Sequence, residues 1–279
     1  MTLCELIALA RIRLDDCVQP YLWSDAALIE FANSSVTEAC MRSRILQTKI
    51  TLPVATGISE YEIPYVILLP KLGLFIDKAG ETVTAGSFIP GLWYSIDTPG
   101  TTAFTSIGAA NNLTGTLFQA TGVGTGTGTA ILGKSNPLFN MGEDEFVREH
   151  PYTCESPSRP LVFKRSERAN HIQVNPVPSL DGYLVLNVYR IPTQGEAMVS
   201  HQDEPVIPVE FHRDLVYWML AEAYQVNDTD KANEGRSAAN EAKFEARFGR
   251  KITARGEQMG RKGVVGRSMY GVEFGGSPV

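Results

Sequence analysis

The spacing of apolar residues changes period twice along the chain. At the start, Leu3, Leu6, Ile7, Ala10, Leu14 and Cys17 recur every three or four positions. That spacing predicts an amphipathic helix over residues 2–17, with Thr2 as its cap. Pro20 ends it, and Ser24 or Asp25 caps a second helix running to about Gln47. Its inner stripe is Leu28, Phe31, Ala32, Ser35, Ala39, Arg42 and Ile45–Leu46. The short connection makes the two helices neighbours that cross at an angle around Pro20–Trp23.

Alternation then replaces the helical period. Lys49–Ala55 and Glu60–Ile63 alternate on either side of Thr56–Gly57 and predict a β-hairpin. Val66–Leu69 predicts a further strand that stops before Pro70. Phe146–Val147, Leu161–Lys164, His171–Val174 and Tyr183–Ile191 predict short strands separated by Pro, Ser, Asn and Gly. In the last of these, Tyr183, Val185, Asn187 and Tyr189 face one side, and Leu184, Leu186, Val188 and Arg190 the other.

Helical spacing returns near the end. Pro208 suits a helix start, where its missing N–H costs little. Val209–Val226 carries Phe211, Leu215, Trp218, Met219 and Ala223 on one face. Asn227 and Asp228 interrupt it, Thr229 or Asp230 starts a fourth helix ending near Phe248, and Gly249 stops it. From Arg250 onward glycine recurs and no apolar period persists, which predicts a flexible or extended tail.

These elements predict an α+β fold in which the N- and C-terminal helices, residues 1–48 and 205–249, form one helical bundle. A β-rich lobe of residues 49–78 and 134–204 is inserted between them. Residues 79–133 form a Gly/Thr-rich β module within that lobe, and residues 250–279 an extended basic C-terminal arm.

Composition narrows the class. The chain has 279 residues, 43% hydrophobic and 20% charged, long enough to build a core without disulfide or metal staples. Glu5, Arg11 and Arg13 interrupt any signal-peptide pattern, and no stretch approaches the roughly 18 apolar residues of a membrane span. Cys4, Cys17, Cys40 and Cys154 make no metal-type spacing and read as reduced structural thiols, the first three buried in helical segments. A net charge of −6 argues against gripping nucleic acid over the whole surface. The charge is uneven, because six basic residues against two acidic ones from Arg250 to Val279 leave −10 on the remainder.

That tail is the favoured partner-binding element. Its cations are Arg250, Lys251, Arg255, Arg261, Lys262 and Arg267, interleaved with apolar groups that include Met269, Tyr270 and Phe274. A mere spacer has little reason to carry so many apolar side chains. The pattern suggests an arm that orders on a partner, with charge steering and apolar groups anchoring.

Catalytic chemistry is poorly signalled. Gly122, Gly124, Gly126 and Gly128 alternate with small residues, but no helix can follow them to receive a phosphate. They read as a strand with a glycine face and a threonine face, lying close to another backbone. His150, His171, His201 and His212 show no metal spacing, and Glu143–Glu145 lacks the spacing of a calcium loop. No nucleophile motif is present, so no enzymatic activity, cofactor or metal is expected.

Two resemblances add to this. The segment carrying Ala85–Phe88, Gly91, Tyr94, Ile96, Gly100–Thr102, Phe104–Thr105, Ile107–Ala109, Asn112, Gly115, Phe118 and Ala120–Ala130 resembles a small β module of tailed-phage virion proteins. At the ends, Trp23, Asp25, Leu28, Phe31, Asn33, Glu38, Ala39 and Arg42 form one helix pattern. Ile207, Pro208, His212, Leu215, Val216, Trp218, Ala223, Tyr224, Asp228, Asp230, Ala242, Phe244, Phe248 and Gly249 form a helical hairpin pattern. Together these resemble the head-to-tail adaptor (connector) proteins of tailed bacteriophages. The resemblance implies a virion protein of the neck, assembled in the host cytoplasm as a homo-oligomeric ring of usually about twelve copies in head-to-tail contact. It further implies that the arm meets the portal protein or a neighbouring subunit, that nozzle or tail-fibre proteins bind opposite, and that DNA passes only as cargo, with no membrane partner. The other reading is a tail-associated receptor-binding or glycan-degrading protein.

Overall fold

A computed structural model describes residues 1–143, 146, 156–226, 233–251, 253, 255 and 256. Helix α1 (Leu3–Leu14) begins at Thr2, whose hydroxyl accepts from the Glu5 N–H while the Glu5 carboxylate accepts from the Thr2 N–H. It ends at Asp15 in the left-handed conformation, so Cys17 lies beyond the helix and is exposed. Helix α2 (Asp25–Ser43) is capped by Ser24 and also ends on a left-handed residue, Arg44. Pro208 precedes a 3-10 turn, Val209–Asp214, that leads into α3 (Leu215–Ala223). Helix α4 (Glu234–Phe248) starts at Asn233, whose side chain accepts from the Arg236 N–H, and stops at Gly249 with φ near +90°. Leu3, Leu6, Leu28, Leu215, Met219, Phe244 and Phe248 are all buried in one cluster fed by these four helices.

Eleven strands follow in chain order: β1 (Gln47–Val54), β2 (Glu60–Glu62), β3 (Ile67–Asp77), β4 (Thr82–Thr84), β5 (Trp93–Thr98) and β6 (Leu117–Gln119), then β7 (Thr129–Gly133), β8 (Ser135–Asn140), β9 (Val162–Arg165), β10 (His171–Asn175) and β11 (Gly182–Arg190). Seven of them form one sheet in the order β1-β11-β3-β8-β9-β10-β2, curled into a nearly closed, barrel-like form. The other four form a sheet in the order β4-β7-β5-β6. Packing divides the chain into two compact units, one of residues 1–48, 65–69 and 189–253, the other built mainly of 49–64 and 70–188.

The expected architecture, a helical bundle from which β lobes hang, is therefore corrected. The molecule is mainly β, with four α-helices among the described residues. The sheet has a core of its own, since β11 buries both of its faces from Tyr183 to Leu186. Several of its strands were hard to see from sequence. β3 runs straight through Pro70, whose carbonyl accepts from Asn140 Nδ2, and β8 contains Pro137.

Other expectations are revised as well. The hairpin of residues 49–63 does not form, because β1 and β2 are the two edges of the seven-stranded order. β2 pairs instead with β10, Glu60 opposite Gln173. Phe146 is helical rather than extended, its N–H bonded to the Gly142 carbonyl at 2.8 Å, and Val147 lies outside the described residues. The glycine run is not a strand, since regular pairing begins only at Thr129. Its close approach to backbone does hold. A Cβ at Gly128 would sit 2.5 Å from the Pro99 carbonyl oxygen, and Gly124 and Gly126 have φ of +69° and +114°.

Within the second unit the four-stranded sheet has its own aromatic core. Phe88, Tyr94, Phe104 and Phe118 are buried, with ring centroids 5.0 Å apart for Phe88–Tyr94 and 5.5 Å for Phe104–Phe118. It is also pinned at its base. Buried Asp77, closing β3, accepts from the Ala79 and Lys134 N–H groups, so one carboxylate holds the chain where it enters and leaves. Tyr183 adds a second tie, its hydroxyl 3.0 Å from Ser95 Oγ and donating to the Gly115 carbonyl.

Candidate assembly surfaces

In the unit holding the four helices, several charged side chains are held in close clusters. Arg42, placed on the inner stripe of α2 by its spacing, is buried there. Its Nε donates to Glu38 at 2.8 Å, one Nη lies 3.3 Å from Glu241, and its guanidinium stacks over Trp218 and Phe244 at 4.8 and 5.3 Å. Lys251 joins the cluster from the root of the basic tail. Its amine is 3.6 Å from Glu38 and 5.9 Å from the Trp218 ring centroid. Arg250 donates to Glu245 at 2.9 Å from a side chain that is 90% exposed.

The residues expected to bind a partner thus divide. Arg250 and Lys251 lean on α4 and α2, and Arg255 is exposed. Arg261, Lys262, Arg267, Met269, Tyr270 and Phe274 lie outside the described residues.

Deeper in the same unit, Glu222 accepts from Ser34 Oγ at 2.6 Å, and Trp218 Nε1 donates to the same hydroxyl at 3.2 Å. Burial raises the Glu222 pKa above the ordinary carboxylate range, and those donors only partly offset it. Glu196 shows the opposite behaviour. A two-pronged contact from Arg190, at 2.6 and 2.7 Å, pulls its pKa down to about 2. Beside Glu196 lies a cavity of about 300 Å³ lined by Asn33, Val36, Tyr65, Met198 and Val206 among others. The Asn33 side chain spans the Met198 backbone, donating to its carbonyl at 2.9 Å and accepting from its N–H at 2.8 Å.

A second feature was not foreseen. The turn between α1 and α2 is clamped by Arg11, which is buried at the end of α1. Arg11 reaches Asp16 at 2.5 Å, Asp25 at 2.6 Å and the Trp23 carbonyl at 3.1 Å, while Asp16 accepts from the Leu22 and Trp23 N–H groups. The turn is held firmly, yet it exposes Val18 and Leu22, with Ile12 exposed on α1 nearby in sequence. Presenting apolar groups on a fixed turn limits the ordering cost of a contact. The one sequence signal for the clamp was an arginine followed by Asp16 and Asp25, which periodicity alone treats as solvent-facing.

His212 is buried with Nε2 at 2.8 Å from the Ile207 carbonyl, and His171 Nδ1 is 2.7 Å from the Ala169 carbonyl. His150 and most of the acidic run after Gly142 lie outside the described residues. Among the described residues no group of three His, Cys, Asp or Glu side chains could hold a metal ion, and no helix is long and apolar enough to cross a membrane. Cys40 is buried, and burial pushes its thiol up to about 12, so it is an inert core group. Cys4 is exposed, in contrast to its expected burial.

Comparison with known proteins agrees in kind with the resemblance seen in the terminal helices. A sequence-family model described as SU10 adaptor protein matches residues 1–267. No curated protein matches the chain.

Proposed function

Because the chain belongs to the SU10 adaptor protein family, whose members are structural adaptors of bacteriophages, we propose that it is a head-to-tail adaptor that works by assembly rather than catalysis. In this reading about twelve copies close into a ring beneath the portal, each meeting the next by a heterologous contact. DNA crosses the ring as passing cargo, and nozzle or tail-fibre proteins occupy its other side. Assembly takes place in the host cytoplasm.

The observation that carries the reading is the extent of the family match, which takes in both compact units and most of the basic tail. The tail is proposed as the arm that reaches the portal or a neighbouring subunit. Arg250, Lys251, Arg255, Arg261, Lys262 and Arg267 steer it, and Met269, Tyr270 and Phe274 anchor it. Attachment of Lys251 to Glu38 and Trp218 gives such an arm a fixed root. Residues 79–133 are proposed as a separable decoration module on the β lobe of residues 49–78 and 134–204, with residues 1–48 and 205–249 making the ring contacts.

Mass photometry of the full chain mixed with the phage's own portal protein tests this. A complex with several adaptor copies per portal ring, weakened when residues 250–279 are removed, is the expected result. Failure of the full chain to bind the portal at any ratio overturns it.

A further inference from the structure

One face of the helical unit gathers cations around a single ring. Arg13 of α1 and Lys243 of α4 both lie against Tyr217 of α3, at 4.9 and 5.6 Å from the ring centroid. Neither has a carboxylate partner among the described residues. The two charges are no further apart than those distances laid end to end, about one Debye length at 0.1 M salt, so they repel each other. Arg213, exposed one turn before Tyr217, is likewise without a carboxylate among the described residues.

Helix α4 continues the same face. At 3.6 residues per turn, Arg236, Lys243 and Arg247 share one flank of its buried Phe244 stripe. Arg236 rests on Tyr224. Arg247 is bonded to Asp214 at 2.8 Å, yet 55% of its side chain stays exposed. Around Tyr217, then, Arg13, Arg213, Lys243 and Arg247 share one bonded carboxylate, in a chain whose net charge is −6. Asp15 and Glu210, exposed and near Arg13 and Arg213 in sequence, pair with neither.

The chemistry of this face selects its partner. Next to the basic flank α4 presents Gly235, Ala239 and Ala246, and it exposes no large apolar residue. Protein partners are usually gripped by apolar or aromatic anchors at the centre of a contact. A row of phosphates needs only fixed cations and an unobstructed approach. We propose that this face contacts the phosphates of duplex DNA, independently of base sequence, and so guides the cargo as it passes. The inference rests on the adaptor reading for the identity of that polymer.

The test is fluorescence anisotropy of the full chain with a labelled duplex of mixed sequence, from about 50 to 200 mM salt. Circular dichroism monitors folding. Arg13→Gln with Lys243→Gln removes both cations from the Tyr217 ring, and Arg213→Gln with Lys243→Gln changes only exposed side chains. Gln194→Glu with Gln202→Glu, both exposed in the same compact unit, matches them in net charge. The parent should bind the duplex. Each face variant should stay folded, bind about tenfold more weakly at 100 mM salt, and flatten the log–log salt slope by about two. The glutamine-to-glutamate control should keep the parent slope.

No binding by the parent at 50 mM salt overturns the proposal, as does an unchanged slope in folded face variants or an equal loss in the control. Tighter binding of polyglutamate than of the duplex, lost in the same variants, makes an acidic polypeptide the partner instead. Because neither portal nor ring enters this measurement, its failure leaves the ring reading standing. DNA binding by a chain that ignores the portal strikes the ring reading alone.

Discussion

The helical unit buries charge, whereas the four-stranded sheet buries rings. Around α1 to α4 the covered side chains include Arg11, Asp16, Glu38 and Arg42, each with ionic or hydrogen-bonded partners. Between residues 79 and 133 the covered set is Phe88, Tyr94, Phe104, Phe118 and aliphatic groups that include Ile96 and Ile107, with Ser95 and Thr102 as its buried polar side chains. The first arrangement specifies geometry, because an ion pair out of water tolerates few alternatives. It fixes the turn after α1 and the root of the tail, the second being where the proposed partner-binding arm begins. The second needs only shape, and glycines let its backbones close over the rings.

The contrast can be broken from either side. Phe118→Ala removes a ring touching three others and should destabilise the protein by about 3–5 kcal/mol in denaturant titration, with loss of near-ultraviolet dichroism. Asp16→Ala leaves the Arg11 guanidinium with Asp25, which is 57% exposed, as its remaining carboxylate. The expected cost is about 3 kcal/mol, the low end for a broken buried pair. A double change, Arg11→Met with Asp16→Leu, should recover part of that loss while loosening the Val18–Leu22 turn to proteolysis, which separates geometry from stability.

Smaller effects sharpen the same contrast. Gly128→Ala forces a methyl group against the Pro99 carbonyl and the Phe104 ring and should cost about 1–3 kcal/mol. Asn233→Ala removes the α4 cap and should cost about 1 kcal/mol. The least effect is a pH slope. The Glu196 pKa lies at about 2 in the fold against an ordinary 4.5, so its stabilisation is complete above 4.5 and is lost as pH falls toward 2. Glu222 acts with the opposite sign, because a raised carboxylate binds its proton better in the fold and stability falls as pH rises through its titration. Comparing Glu196→Gln and Glu222→Gln in acid titrations should show slopes that change in opposite directions.

The same contrast explains what could be read from the sequence. Several helix boundaries were legible because their signals are local: Thr2 and Ser24 cap, Gly249 stops, and the three-four spacing even placed Arg42 inward, although α2 ends at Ser43 rather than near Gln47 and α4 begins at Glu234 rather than at Thr229 or Asp230. Arg11 was not legible, since its burial depends on Asp16 folding back across a turn. The weight of β structure was underestimated because its strands are short, contain Pro70 and Pro137, and take partners far away in sequence. The false hairpin shows this plainly, since local alternation was right for β1 and β2 while their pairing was decided by β11 and β10. For the tail, proposed as the partner-binding arm, composition pointed to its charge, and only packing revealed how Lys251 is anchored.

Electron cryo-microscopy of the intact virion neck tests the central claim most directly. The expected density is a closed collar of copies of this chain directly below the portal, with DNA or an open channel on its axis. Finding the chain at fibre tips or on the capsid shell, or missing from the particle altogether, would contradict it.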